Sequence, residues 1–392
     1  MEEIVLVSGA RTAVGRMGGA FQNTPAADLA AVVFKAAMER AGVRPDQIDQ
    51  VILGCAGQVM EDAYVARHAA VKAGVPIEVP AYNVSRLCGT GLEAIHTAAR
   101  WIECGDAEIV LAGGTENMTM LPFYVRRGRY GYRLGDGVLE DGILSLLSDP
   151  FSRAHMGITA EKLADKYGIT RQDQDDLSLR SHQNAVAAIE TGRFKEQIVP
   201  VEVKVGRETK AFDTDEGPRA DTNMEALAKL RAAFKEGGNV TAGNSSSIND
   251  GAAAVVVMSR RKAEQLGIRP RLRMVARAEA GVEPSLMGYG PIPATRKALE
   301  RAGLTVDQMD VNEVNEAFAA VACTCIKELG LDAAKTNPNG GAVALGHPVG
   351  ATGAILAVKL MYELERIQGR YGLVSLCIGG GQGITCIFER VA

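Results

Sequence analysis

The sequence predicts a duplicated α/β protein. Three observations carry that expectation: strands alternate with helices, one segment recurs after 261 residues, and a charged middle stretch has no counterpart in the repeat. Residues 37–49 read AMERAGVRPDQID and residues 298–310 read ALERAGLTVDQMD, so Glu39 matches Glu300 at an offset of 261 (300 − 39). Each copy reads as an amphipathic helix stopped by a glycine, Gly42 or Gly303, before an Asp-containing turn and a short apolar strand. Downstream, Gly89-Thr-Gly91 opens a helical run from Leu92 to Glu103, and Ala351-Thr-Gly353 opens one from Ala354 to Arg366, at an offset of 262 (353 − 91). Both runs lead into hydrophobic strands that end in glycines, Glu108 to Gly114 and Leu373 to Gly381. The alternation implies parallel sheets. The repeat implies two similar domains related by a pseudo-two-fold axis.

The middle stretch, about 119–249, is richer in charge and turn residues and carries two helical segments, Thr159 to Tyr167 and Arg171 to Glu190. Thr170-Arg-Gln-Asp173 reads as a capping box that opens the second. Asn249-Asp-Gly251 then re-enters the first domain through the apolar strand Ala252 to Met258. The expected organisation is an N-terminal core domain (1–118 plus 250–268), an inserted loop domain (119–249) and a C-terminal core domain (269–392).

Composition narrows the function classes. The chain has 392 residues, 47% of them hydrophobic, with a net charge of −4. A nucleic-acid partner is not expected from that balance. No apolar run approaches the roughly 18 residues of a membrane span, and the chain opens on a strand, Ile4 to Ser8, so a cytoplasmic protein is expected. The seven cysteines are odd in number and not spaced as a disulfide framework. Cys323 and Cys325 fall on different faces of a helical stretch, and the histidines are scattered, so no metal is expected.

Cys88 lies in Ser85-Arg-Leu-Cys-Gly-Thr-Gly91, just ahead of a helix. There the positive end of the helix dipole and free backbone N–H groups favour a reactive thiolate. A lone cysteine is more often a small packed hydrophobe, but the repeat argues otherwise. The equivalent turn of the second half is Asn339-Gly-Gly-Ala-Val-Ala-Leu-Gly-His347-Pro-Val-Gly-Ala-Thr-Gly353. Pseudo-symmetry brings equivalent loops together, so Cys88 and His347 are expected to face one another as nucleophile and base. Cys377 ends a strand before Gly379-Gly-Gly381, where open sheets bind ligands. A thiol there can exchange a proton with carbon, and the turn's N–H groups can hold an oxyanion. Asn315, in Asn312-Glu-Val-Asn-Glu-Ala-Phe318, reads either as a helix cap or as an amide beside a reacting carbonyl.

Together these motifs resemble the thiolase family. The segments that carry the likeness are Asn83-Val-Ser-Arg-Leu-Cys-Gly-Thr-Gly-Leu-Glu-Ala94, Asn315-Glu-Ala-Phe318, the Asn339 to Gly353 turn and Cys377-Ile-Gly-Gly-Gly-Gln-Gly383, in matching order over essentially the whole chain. The resemblance implies the thiolase-like duplicated core, with layered helices and mixed sheets, and an acetyl-CoA C-acetyltransferase working through an acyl-Cys88 intermediate. The nearest alternative is a degradative 3-ketoacyl-CoA thiolase with longer acyl chains. Coenzyme A thioesters are then substrates, and no cofactor is implied. His347 activates Cys88, and Cys377 moves the α-proton. Asn315 with His347 forms one oxyanion site; the N–H groups of Cys88 and Gly379 form another. Ser246 and Arg219 contact coenzyme A, and Leu230, Phe234 and Phe318 supply apolar walls. His155, Met156 and Met287 look like the short-chain branch, from which Phe151-Ser-Arg-Ala154 and Glu313-Val314 depart. Residues 124–141 occupy the place of a tetramerisation loop, implying a homo-oligomer built as a dimer of dimers.

Overall fold

A computed structural model describes residues 2–391. Its main sheet runs, from one edge, through Val311–Val314, Tyr371–Ile378, Gln382–Arg390, Leu272–Gly281, Ile4–Arg11, Asn249–Ser259, Ile109–Asn117, Gln50–Gly54 and Ala81–Val84. The order is a palindrome about the junction of Leu272–Gly281 with Ile4–Arg11, which pair through only Leu6 with Leu272 and Val5 with Arg273. Each half repeats the other's strand order outward from that junction, the N-terminal half adding Ala81–Val84 at its edge. The duplication in sequence is thus a duplication in space.

The sheet is mixed, as the family resemblance implies, and not parallel throughout as the alternation alone suggests. Parallel ladders occur only between Gln50–Gly54 and its two neighbours and between Val311–Val314 and Tyr371–Ile378. The remaining main-sheet pairs are antiparallel. The cause is visible at Gly379–Gly381, a tight turn joining two consecutive strands as a hairpin. The corresponding hairpin of the first half, Ile109–Asn117 with Asn249–Ser259, is split by the middle insertion.

Helices Thr90–Glu103 and Thr352–Ile367 form a central layer against both halves of the sheet. Val110 and Ala112 face them, whereas Ile109 and Leu111 face the outer helices Ala26–Ala41 and Val65–Lys72. A strand covered on both faces needs apolar residues at every position, and Ala252 to Met258 supplies them. Gly42 (φ 66°) and Gly303 (φ 64°) end their helices in the left-handed conformation, as the repeat predicts.

The two central helices touch at their N-terminal ends through one glycine from each half. A Cβ on Gly91 would fall 2.6 Å from the backbone N of Ala354, and one on Gly353 would fall 2.3 Å from the backbone N of Leu92. Neither helix can carry a side chain there without separating the halves.

The middle region adds helices Met156–Tyr167 and Arg171–Glu190, the latter opened by the expected Thr170–Asp173 capping box. Two short hairpins accompany them, one joining Phe123–Val125 to Leu139–Asp141. The region is pinned to the first strand by a buried ion pair. Arg11 donates from Nη1 and Nη2 to the two Asp215 oxygens at 2.8 and 2.9 Å, and from Nε to Gln197 Oε1 at 2.8 Å. Its guanidinium also lies over the Phe194 ring.

Gly353→Ala should lower unfolding free energy by about 1–3 kcal/mol, the usual cost of overpacking a filled interior. Chemical denaturation measures it; wild-type stability would show that the close approach of the helices is dispensable.

Candidate active site

Cys88 sits in a one-turn 3₁₀ segment, Leu87–Gly89, that runs into the Thr90–Glu103 helix. Leu87 is held at φ 44°, a left-handed conformation that costs a non-glycine residue on the order of 1–3 kcal/mol. A Cβ on Gly89 would lie 2.6 Å from Ile378 Cδ1, so this turn is pressed directly against the strand end that bears Cys377. Gly379 shares a cavity wall with Cys88.

The His347 turn is tied down by groups of the N-terminal half. The His347 N–H donates to Asn249 Oδ1 at 2.9 Å, and the Gly350 N–H donates to Glu116 Oε2 at 2.7 Å. Glu116 also accepts from the N–H groups of Ala56 and Gly57. On the other side, Lys359 donates to Glu313 Oε2 at 2.8 Å and to the Gly340 carbonyl at 2.7 Å, and Asn339 donates to Glu363. This explains Glu313, which stood out in the sequence: it is one partner of a buried ion pair that fixes the start of the loop.

The His347 ring is buried between Thr352, whose Oγ1 lies 2.6 Å from Nδ1, and Asn315, whose Nδ2 lies 3.4 Å from Nε2. Asn315 caps no helix. The following helix starts at Ala319 with Phe318 as its cap, while the Asn315 N–H donates to the Ser375 carbonyl. Its Oδ1 is buried with no hydrogen-bond partner among the described residues.

The helix end favours a thiolate at Cys88, but burial opposes it. Burial pushes the Cys88 thiol up to about 11, although the N–H groups of Gly379 and of Cys88 itself favour the anion. Burial lowers the His347 imidazole to about 4. Cys377 is pushed well above the usual thiol range by burial and then by its neighbour Cys88. Desolvation of the charged form outweighs the helix end here. All three groups rest neutral near pH 7, so each proton transfer must be driven by the reaction itself.

A cavity of about 730 Å³ opens onto this centre. Cys88, His347 and Gly379 lie on its wall; Cys377 and Asn315 stand buried behind it. Met156 and Met287 flank the reacting end, and Gly379 packs near the Met156 sulfur. Farther out, His155 stacks on Phe234 with ring centroids 4.7 Å apart, and Phe234 meets Phe318 edge-on at 6.0 Å. Ser246 donates its hydroxyl to the Ala317 carbonyl at 2.9 Å, which leaves its lone pairs free to accept from a ligand amide. Leu230 and Arg219 line the outer part, so every expected contact residue reaches this cavity.

Sequence reasoning missed Arg16 and His182, which share that outer wall. His182 Nδ1 accepts the Arg219 N–H at 3.2 Å, and Arg16 Nη2 donates to the Gly217 carbonyl at 3.4 Å. Arg16 directly follows the glycine-ended segment Ser8-Gly-Ala-Arg-Thr-Ala-Val-Gly15, and that position was the available signal. Phe151 is exposed and does not line the cavity. Elsewhere Glu93, His96 and Glu279 cluster closely enough to suit a cation, but Arg100 already donates to both carboxylates and supplies that charge.

The thiolase N-terminal domain model matches residues 4–261, and the thiolase C-terminal domain model matches residues 268–390. The chain belongs to the thiolase family. This thiolase is 52% identical over 391 residues to beta-ketothiolase BktB of Cupriavidus necator, covering 99% of each chain. It is 50% identical to an acetyl-CoA acetyltransferase of Syntrophomonas wolfei, again over 99% of each. The human mitochondrial 3-ketoacyl-CoA thiolase in complex with CoA superposes with a TM-score of 0.97 at 41% identity, over 100% of this chain and 98% of that one. The thiolase is accordingly an acyltransferase. Among the described residues, no helix is long and apolar enough to cross a membrane.

Iodoacetamide should alkylate Cys88 at a rate that climbs steadily between about pH 6 and 9, because the thiolate fraction is what reacts. A rate independent of pH across that window would instead reveal a preformed thiolate–imidazolium pair.

Proposed function

We propose that this thiolase joins two acetyl-CoA molecules to acetoacetyl-CoA and CoA, and catalyses the reverse thiolysis, through an acetyl group carried on Cys88. The observation that carries the reading is that Cys88 and His347 share the wall of one cavity, with Asn315 beside His347 and Cys377 buried next to Cys88. In the first half-reaction Cys88 Sγ attacks the thioester carbonyl as its proton passes to His347. The S–C bond to CoA breaks, and the departing thiolate takes that proton back. One thioester replaces another, so the step is nearly balanced in energy and needs no external activation.

In the second half-reaction the Cys377 thiol passes its own proton to His347, and the thiolate so formed removes a proton from the methyl carbon of a second acetyl-CoA. The resulting carbanion forms the new C–C bond at the acetyl-Cys88 carbonyl, and the Cys88 thiolate leaves and takes the proton from His347. Charge appears on a different oxygen in each half-reaction, and two donor sets suit this need: the N–H groups of Cys88 and Gly379, and Asn315 with His347 while its Nε2 carries the transferred proton. The neutral resting state of the three titrating groups supports roles that require each to gain or lose a proton in turn.

The outer cavity supports CoA thioesters as the ligands. The Phe234 and Phe318 rings and Leu230 give apolar walls for a pantetheine arm, Ser246 an acceptor for its amide, and Arg219 with Arg16 positive charge for phosphates. The methionines Met156 and Met287 beside the reacting end favour a short acyl group. A longer chain is the second reading, because the human relative of nearly identical fold carries the name 3-ketoacyl-CoA thiolase. The basic hairpin about 124–141 leaves Phe123, Tyr130, Leu134 and Val138 exposed, which supports assembly as a dimer of dimers.

Mass spectrometry after incubation with acetyl-CoA should find one acetyl group on Cys88, none in Cys88→Ser, and an acetylated but condensation-deficient enzyme in Cys377→Ser. An unmodified wild-type Cys88 would remove the proposed intermediate. Thiolysis across 3-ketoacyl-CoA substrates should fall steeply beyond the shortest chains; equal rates from four to twelve carbons would replace the acetyl reading with the long-chain one.

A further inference from the structure

A buried imidazole can serve as base only if its lone pair faces the acid, so the ring tautomer of His347 decides whether Cys88 can be activated. Three contacts bear on it. His347 Nδ1 and Thr352 Oγ1 are 2.6 Å apart, Thr352 Oγ1 and the Pro348 carbonyl are 2.9 Å apart, and His347 Nε2 and Asn315 Nδ2 are 3.4 Å apart. The Thr352 hydroxyl donates to the Pro348 carbonyl, which can only accept. With its proton placed there, the oxygen offers lone pairs to His347, and Nδ1 carries the ring proton. We infer that Thr352 is a positioning residue that locks His347 as the Nδ1–H tautomer, leaving the Nε2 lone pair for the Cys88 proton.

The lock is well placed to hold. Thr352 is the first residue of the Thr352–Ile367 helix and is 2% exposed. Its own N–H and that of Ala351 also donate to the Pro348 carbonyl, at 3.0 and 2.9 Å, which holds that carbonyl in place. Thr352 closes the loop that bears His347 and directly precedes Gly353, the residue on which the central helices meet. The contact that brings the two halves together therefore also aligns the base.

The consequence for the reaction is specific. When Cys88 attacks, its S–H bond breaks, the proton moves to Nε2, and the imidazolium keeps its Nδ1–H on Thr352 Oγ1. The hydroxyl thus accepts from the ring in both states. A ring held as the Nε2–H tautomer would have no lone pair to offer Cys88. The logic parallels the third member of a hydrolase triad, with a neutral oxygen in place of a carboxylate.

This inference rests on the reading of His347 as the base for Cys88. Thr352→Val keeps the shape and removes the acceptor; Thr352→Ser keeps the acceptor. Acetylation of Cys88 in a single turnover should slow on the order of 100-fold in the valine variant. The serine variant should stay within about threefold of wild type because its hydroxyl offers the same bonds. The KM for acetyl-CoA should be unchanged in both. Nitrogen-15 spectra of histidine-labelled wild-type enzyme should place the His347 proton on Nδ1, and this second measurement needs neither variant to fold. An Nε2–H tautomer, a valine variant that acetylates at the wild-type rate, or a serine variant as slow as valine would overturn the inference. Failure of wild-type enzyme to acetylate Cys88 at all would instead remove the underlying reading.

Discussion

Everything at the active centre depends on two helix ends that meet without side chains. Gly91 and Gly353 let the N-terminal turns of the central helices approach to backbone contact. Cys88 lies three residues before one glycine and His347 six before the other. Once the helices touch, both catalytic turns are forced to the same point, and the Cys377 strand end is pressed against them. The approach is bought with conformational freedom, since glycine loses more on folding than any other residue. It is repaid by two central helices buried along nearly their whole length between the two halves of the sheet.

The duplication was open to sequence reading because it is written in local chemistry. Gly42 and Gly303 stop equivalent helices for the same reason, a left-handed conformation that only glycine adopts without strain. The meeting of Cys88 with His347 then followed from symmetry, without knowledge of any contact. Strand polarity was harder. Alternating strands and helices argue for parallel pairing, yet Cys377-Ile-Gly-Gly-Gly-Gln-Gly383 joins two strands through a short glycine turn, which is a hairpin signal. In the first half the same hairpin is interrupted by more than a hundred residues, so the local signal is erased.

The anchors of the site were not legible for a different reason. Glu116, Asn249 and Lys359 act on loops far away in the chain, and nothing in their neighbourhoods announces that they accept or donate there. The protonation balance at Cys88 turns on magnitudes. A helix end is worth at most a kcal/mol or two to a charge, whereas removing a thiolate from water costs several times that. A helix start in the sequence reveals the first quantity and says nothing of the second.

The Arg11–Asp215 pair fixes the segment that brings Gly217, Arg219 and Asp221 to the cavity wall. Pulling that segment away would separate two fully buried opposite charges, and breaking such a pair typically costs about 3–5 kcal/mol. The Gln197 and Phe194 contacts to the same guanidinium would go with it. That side of the cavity is therefore held as a wall and not as a lid.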